Sequence, residues 1–357
     1  MLCWVTSPRA RSALDGIPIY TPGKAAASET LKLSSNENPF PPLPGVTERA
    51  LAELNRMNRY PDAGAVQFRA ALAAHLGTEI ESICVGTGSV AVLFALLQAH
   101  LEAGDEIVYA WRSFEAYPIA ADLTGATSVR VPLLSDGRHD MVAMAAAITE
   151  RTRVVLVCTP NNPTGPVVTA DELETFLAVV PPHVIVVVDE AYVEFVRDPD
   201  AAQGLAAMAD RDNVVVLRTF SKAYGLAGLR LGYAIAPLAI ADAIRKATPP
   251  FAVSDLAQAA GIASLEARDE LMARVDVVVA EREAMRNALL AQAWVVPETQ
   301  ANFVWLSLGD ATLDFAAACD PVSVRPFAGD GVRVSVGDPG VNAQFLDLAD
   351  VWRQQHM

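Results

Sequence analysis

The chain has 357 residues, 52% of them hydrophobic, and carries 42 acidic against 27 basic side chains for a formal net charge of −15. That length exceeds what one hydrophobic core usually serves and predicts a large and a smaller domain, while the negative charge opposes nucleic acid and anionic membrane at long range. No apolar run approaches the roughly 20 residues of a membrane-spanning helix, and the opening MLCWVTSPRARSALDGIP has no apolar signal core, so a soluble, cytoplasmic protein is expected.

Residues 1–48 are rich in proline and turn formers and cannot build a core alone; they are expected to pack on the small domain or on a partner subunit. From about 66 to 245, short β-branched runs alternate with Ala- and Leu-rich stretches, the pattern of repeated strand-helix units. The predicted strands are ICV (83–85), EIVYAW (106–111), SVRVPL (128–133), VVLVC (154–158), VIVVVDEAY (184–192), VVVLRTF (214–220) and LGYAIA (231–236). SVAVLFALLQAHL (89–101) and ADELETFLAVV (170–180) are the clearest helices between them. VVLVC and VIVVV are apolar on both faces, as a parallel sheet covered on both sides requires. After Pro249-Pro250 one long helical stretch runs through Leu290, followed by strands NFVWLSL (302–308), VSVRPF (322–327) and GVRVSV (331–336) and a closing helix. The fold class is therefore α/β, a large domain (49–248) with a mostly parallel central sheet covered by helices, plus a smaller α+β domain (249–357).

Four scattered cysteines (Cys3, Cys84, Cys158, Cys319) and five histidines show no ligand spacing, so no metal site is expected. The segment with most chemistry is RTFSKAYGLAGLRLGY (218–233). There Lys222 follows an apolar strand into a Gly-rich turn, at the sheet edge where open α/β folds place ligands. Desolvation at such a point lowers a lysine pKa and frees the amine to attack an aldehyde. Thr219, Ser221 and the fork of Arg230 offer donors suited to a phosphate. Asp189 ends a buried strand, where a carboxylate serves as a cap, as half of a salt bridge, or as the partner that keeps a pyridine nitrogen protonated. Tyr192 follows it, and Asn162 sits in the tight loop PNNPTG after the neighbouring strand.

Taken together, KLSSNENPF (32–40), NRYPD (58–62), GTGS, WRSFEAYP, PNNPTG, DEAYVEF and RTFSKAYGLAGLRLGY stand in one order along nearly the whole chain. The sequence resembles the fold-type-I aminotransferases, within them the histidinol-phosphate and aromatic amino acid aminotransferase group. The resemblance implies pyridoxal 5'-phosphate as cofactor, Lys222 as the lysine that bonds its aldehyde, Asp189 at its pyridine nitrogen, and Asn162 and Tyr192 at its phenolic oxygen. It further implies Phe114 stacked on the ring, and Ser89, Val90, Thr219, Ser221 and Arg230 around the phosphate, the first two mainly through amides at a helix N-terminus. Tyr60 resembles a residue that reaches the other subunit's cofactor, implying a homodimer. Arg333 resembles the clamp on the substrate α-carboxylate, and Arg325, Tyr20 and Asn36 resemble substrate-side positions.

GTGSVA (86–91) also fits a relaxed dinucleotide fingerprint, so an NAD-dependent dehydrogenase is the rival from another class. That fingerprint needs an acidic residue at the end of the next strand, whereas Asp105 and Glu106 stand at the beginning of EIVYAW rather than after it. A decarboxylase or lyase could use the same lysine chemistry, and a non-enzymatic interaction protein is the third class that the sequence leaves open. Histidinol-phosphate enzymes commonly carry Asp-Glu after their Gly-x-Gly turn, and this chain has Val90-Ala91. The expected substrates are accordingly aromatic amino acids (phenylalanine, tyrosine, tryptophan), with a 2-oxo acid such as 2-oxoglutarate as acceptor.

Overall fold

The structure, a computed structural model, describes residues 10, 11, 14, 16, 17, 28 and 31–356. Helices α1 (Val46–Glu53) and α2 (Val66–Leu76) lead into β1 (Ile83–Gly86), α3 (Ser89–His100), β2 (Glu106–Trp111), α4 (Ala116–Thr124) and β3 (Thr127–Pro132). Then come α5 (Met141–Ala146), β4 (Thr152–Cys158), α6 (Ala170–Leu177), β5 (Ile185–Asp189), α7 (Gly204–Met208), β6 (Val214–Thr219), β7 (Gly232–Ile235) and α8 (Leu238–Ala247). The remainder is α9 (Asp255–Glu266), α10 (Arg268–Ala291), β8 (Phe303–Ser307), α11 (Thr312–Ala318), β9 (Arg325–Phe327), β10 (Gly331–Ser335) and α12 (Pro339–His356).

Each predicted strand forms. The first seven make one sheet in the order β1-β7-β6-β5-β4-β2-β3, in which β7 alone runs antiparallel to its neighbours, and the last three make an antiparallel sheet ordered β8-β10-β9. The long helical stretch after Pro250 proves to be two helices that part at Ala267 (φ −92°, ψ 31°), the first capped by Ser254, whose hydroxyl accepts from the Ala257 amide.

Strand alternation explains why the large sheet must be covered twice. Val154, Leu156, Ile185, Val187, Val215 and Leu217 pack with α3, α4 and α8 on one face, while Val155, Val157, Val186, Val188 and Val214 pack with α5, α6 and α7 on the other. Each of these aliphatic side chains contributes on the order of 1.5–3 kcal/mol by leaving water. A third cluster joins the small sheet to α2, α9, α10 and α12.

The same period sorts the strand ends. Cys158, Asp189 and Thr219 continue the α3/α4 face at the carboxyl ends of β4, β5 and β6, with Cys158 opposite Asp189 and Asp189 opposite Leu217. Glu190 and Arg218 turn the other way: the Arg218 Nε donates to Glu190 Oε2 at 2.8 Å, and the Gly204 amide donates to Glu190 Oε1 at 2.6 Å. Residues 31–36 run beside the small sheet, where the Leu33 amide donates to Ser323 O and the Ser335 amide to Leu33 O, both at 2.8 Å. This brings Ser34, Ser35 and Asn36 towards the strand ends.

Candidate active site

A cavity of about 330 Å³ opens at those carboxyl ends, bounded by the loops after β2, β4, β5 and β6, the start of α3, residues 34–37 and the small sheet. Ser89, Val90, Phe114, Asn162, Asp189, Tyr192, Thr219, Ser221, Lys222, Arg230, Arg325 and Arg333 all line it. Asn36 is buried just behind, its Nδ2 donating to the Tyr192 hydroxyl at 2.9 Å. Tyr60 does not line the cavity; it is 79% exposed and stacks on Phe251 with ring centroids 4.6 Å apart. Tyr20 lies outside the described residues.

Lys222 sits in the turn that leaves β6. Its Nζ donates to Ser35 O at 3.0 Å and lies 5.9 Å from the Tyr192 ring centroid. Burial, reinforced by the Arg333 charge and opposed by Glu37, lowers the amine to about 7, so a large neutral fraction exists at neutral pH. Asp189 is buried, and its Oδ2 accepts from the Tyr117 hydroxyl at 2.7 Å. Its Oδ1 is buried without a side-chain partner among the described residues. Burial raises this carboxyl to about 6, against the pull of the Tyr117 hydroxyl and the Ala191 amide. A carboxylate left half-satisfied at a cavity wall is suited to a cationic N–H.

At another part of the wall Gly88 (φ +87°) turns the chain into α3, whose first turn no side chain caps. A Cβ on Gly88 would stand 2.5 Å from the Arg230 Nη2, and one on Gly232 would stand 2.1 Å from the Ser89 amide nitrogen. Both glycines are therefore needed for the guanidinium and the strand β7 to approach the helix start. Arg230 itself takes a left-handed backbone (φ 57°), with Nη1 donating to Ala227 O at 2.9 Å. Free helix amides, a guanidinium and the hydroxyls of Ser89, Thr219 and Ser221 together make a cradle for a phosphate. The donor set fits a ligand carrying a phosphate, a basic ring nitrogen and an electrophilic carbon near Lys222.

On the small-sheet side, the Arg333 Nη1 donates to Asn162 Oδ1 at 2.5 Å and Nη2 to Ser34 O at 2.7 Å. The Asn162 Nδ2 remains as a donor for the ligand. Arg325 pairs with Glu115 across the cavity, Nη2 to Oε2 at 2.7 Å.

Sequence reasoning missed several contributors. The loop after β2 and the first turn of α4 supply four contacts: Ser113 donates to Asn161 Oδ1 (2.8 Å), Phe114 lines the cavity, Glu115 meets Arg325 and Tyr117 holds Asp189. Phe327, Glu37 and Cys158 also line the cavity. His139 has a structural place: buried, and lowered to about 4 by that burial, its Nε2 bonds Asn161 Oδ1 at 3.1 Å and steadies the loop that presents Asn162. The WRSFEAYP motif marked the segment, and only the helix phase of α4 reveals which of its residues turn inward.

Comparison with known proteins gives the site a lineage. The family model described as "Aminotransferase class I and II" matches residues 28–337. The aromatic amino acid aminotransferase of Streptomyces avermitilis is 56% identical over 355 residues, covering 98% of this chain and 99% of the relative. The protein of the same name from Thermobifida fusca is 54% identical over 354 residues, covering 98% of both. Among solved structures, histidinol-phosphate aminotransferase from Sinorhizobium meliloti, in complex with pyridoxal-5'-phosphate, superposes with a TM-score of 0.88 at 26% identity, covering 98% of this chain and 99% of that one. A family match across most of the chain and relatives identical at more than half their positions lead to one conclusion: this chain belongs to the class I and II aminotransferases.

Proposed function

We propose that the protein is a pyridoxal-phosphate-dependent aminotransferase that takes amino groups from aromatic amino acids and passes them to a 2-oxo acid such as 2-oxoglutarate. The observation that carries the reading is the meeting, in one cavity, of a lysine lowered to about 7, a buried carboxylate with an unused oxygen and a phosphate cradle. The names of the Streptomyces and Thermobifida relatives support aromatic substrates, as do Phe114 and Phe327 in the cavity wall.

Pyridoxal phosphate, when bound, supplies an aldehyde that condenses with amines and a ring that withdraws electrons from the carbon losing its proton. Asp189 Oδ1 would hold the proton on the ring nitrogen, and the Tyr117 hydroxyl fixes the carboxylate that would do so. The Tyr192 hydroxyl, which already accepts from Asn36, keeps its own proton and could donate it to the phenolic oxygen, as could Asn162 Nδ2. Phe114 would cover the ring, and Ser89, Val90, Thr219, Ser221 and Arg230 would hold the phosphate. Arg333 grips the substrate α-carboxylate with its two-pronged fork. Lys222 Nζ, neutral at working pH, is the base that would take the substrate α-proton, and the two half-reactions would alternate in ping-pong order.

Phenylalanine and tyrosine are expected to show kcat/KM at least about tenfold above histidinol phosphate in a side-by-side assay, a margin of about 1.4 kcal/mol in transition-state binding. The reverse ranking would overturn the substrate assignment in favour of a second reading, histidinol-phosphate transamination. That reading is favoured by the likeness to the Sinorhizobium structure and by the two arginines, Arg325 and Arg333, in the cavity.

The working unit is a homodimer acting on small molecules in the cytoplasm, with Tyr60 reaching the partner subunit's cofactor phosphate; no helix among the described residues is long and apolar enough to cross a membrane. The chain divides into a cofactor domain (49–248) and a small domain (249–357), with residues 1–48 against the latter or the partner. Tyr60→Ala should loosen cofactor retention about tenfold by loss of one charge-assisted hydrogen bond. A sedimentation-verified monomer with full activity would remove both the dimer and this role.

A further inference from the structure

Arg325 and Arg333 face each other in register on β9 and β10, and both line the cavity. Two guanidinium groups on one wall make a strong anion site, and a doubly charged phosphate would be its natural occupant. Arg333 meets the oxygens of Asn162 and Ser34. Arg325 meets a carboxylate, that of Glu115, at 2.7 Å, with side-chain exposures of only 11% and 31%. The Arg325 guanidinium also lies 5.7 Å from the centroid of Phe327, which lines the same cavity.

The backbone at Glu115 is held on both sides. This residue stands at the start of α4, between Phe114, which lines the cavity, and Tyr117, whose hydroxyl is anchored on Asp189 at 2.7 Å. Phe114 and Tyr117 fix the backbone that carries Glu115, and the ion pair with Arg325 holds its carboxylate at the wall that Arg325 would otherwise make positive.

We infer that Glu115 is a specificity-determining residue: by pairing with Arg325 it leaves Arg333 to grip the anionic end of the substrate, and so disfavours substrates that carry a phosphate there in place of the α-carboxylate. This rests on the aromatic aminotransferase reading and deepens it. A phosphate bonded to Arg325 would lie within about 4–6 Å of the Glu115 carboxylate, where like charges in a partly desolvated site repel. Histidinol phosphate carries an imidazole where phenylalanine carries its phenyl ring, and a phosphate arm where phenylalanine carries its α-carboxylate, so the two differ in the anion they bring to this wall. A single carboxylate carries less charge than a phosphate dianion and is disfavoured less.

The test compares the cofactor-loaded parent protein with Glu115→Gln and Glu115→Asp. Phenyl phosphate and 3-phenylpropionate, which lack an amine and do not turn over, are titrated calorimetrically at constant ionic strength. The kcat/KM values for histidinol phosphate and phenylalanine are measured alongside. Glu115→Gln should tighten phenyl phosphate about tenfold and leave 3-phenylpropionate within about twofold, the scale of one charge-assisted contact regained. The ratio of histidinol phosphate to phenylalanine kcat/KM should rise about tenfold, chiefly through KM, and KM for 2-oxoglutarate should fall by less. Glu115→Asp, which keeps the charge, should restore exclusion. Equal weakening of both probes would show a mere brace between α4 and the small sheet and overturn the inference, as would an unchanged phenyl phosphate affinity. A parent protein that itself prefers histidinol phosphate would instead remove the aromatic reading, and the inference with it.

Discussion

Lys222→Ala should lower turnover by at least about 10⁴-fold, because one amine serves both as the nucleophile towards the cofactor aldehyde and as the base that moves the α-proton. The cradle at Gly88, Ser89 and Arg230 and the carboxylate of Asp189 are untouched by this change, so the cofactor should still bind, without a covalent link. In the parent protein borohydride should fix the cofactor to residue 222; in the variant mass spectrometry should find none attached. The pH dependence has a definite sign. Only the neutral amine attacks an aldehyde, and burial lowers Lys222 to about 7, so covalent uptake of cofactor by the ligand-free protein should quicken as pH rises through about 7 and level off above. A rise centred near 10, the range of an ordinary lysine, would mean that the amine is not desolvated as the structure has it. Residual turnover above about one per cent, a loss smaller than the 10²–10⁴-fold range of general-base effects, would show that another group moves the proton.

Asp189→Asn should separate catalysis from binding. The amide is nearly the same size, can still accept from Tyr117, and cannot hold a proton on a ring nitrogen as a carboxylate does. Cofactor affinity should fall by no more than about tenfold, the scale of one charge-assisted hydrogen bond. Single-turnover rates should fall by about 10³-fold or more, since the charge that draws electrons from the reacting carbon is lost. Spectral titration supplies the first number and rapid mixing the second. Equal losses in both would assign Asp189 to cofactor retention only.

The strands were legible because their valine and isoleucine runs need burial on both faces, and that same requirement located the ends where Asn162, Asp189 and Lys222 converge. Direction was not legible for β7: LGYAIA is as apolar as its parallel neighbours, and hydrophobicity carries no arrow. The break at Ala267 was hidden for a related reason, since neither glycine nor proline marks it and alanine favours helix on both sides. Tyr117 and Glu115 were visible as a motif but not as site residues, because their roles depend on the angle at which α4 meets the sheet. Phe327 and Glu37 come from segments far away in sequence, and only tertiary packing brings them to the cavity.

Asp189 and Glu190 are adjacent acids, and strand alternation sends them to opposite sides of the sheet. Sliding this strand by one position would put Glu190 at the cavity, a carboxylate in place of a carboxylate, and the mistake would be chemically inconspicuous from the front. It would be conspicuous from behind: Ala191 would then face Arg218, and a guanidinium largely out of water would lose its partner at a cost of about 3–5 kcal/mol. The Glu190–Arg218 pair thus proofreads the alignment of the catalytic strand as the sheet assembles.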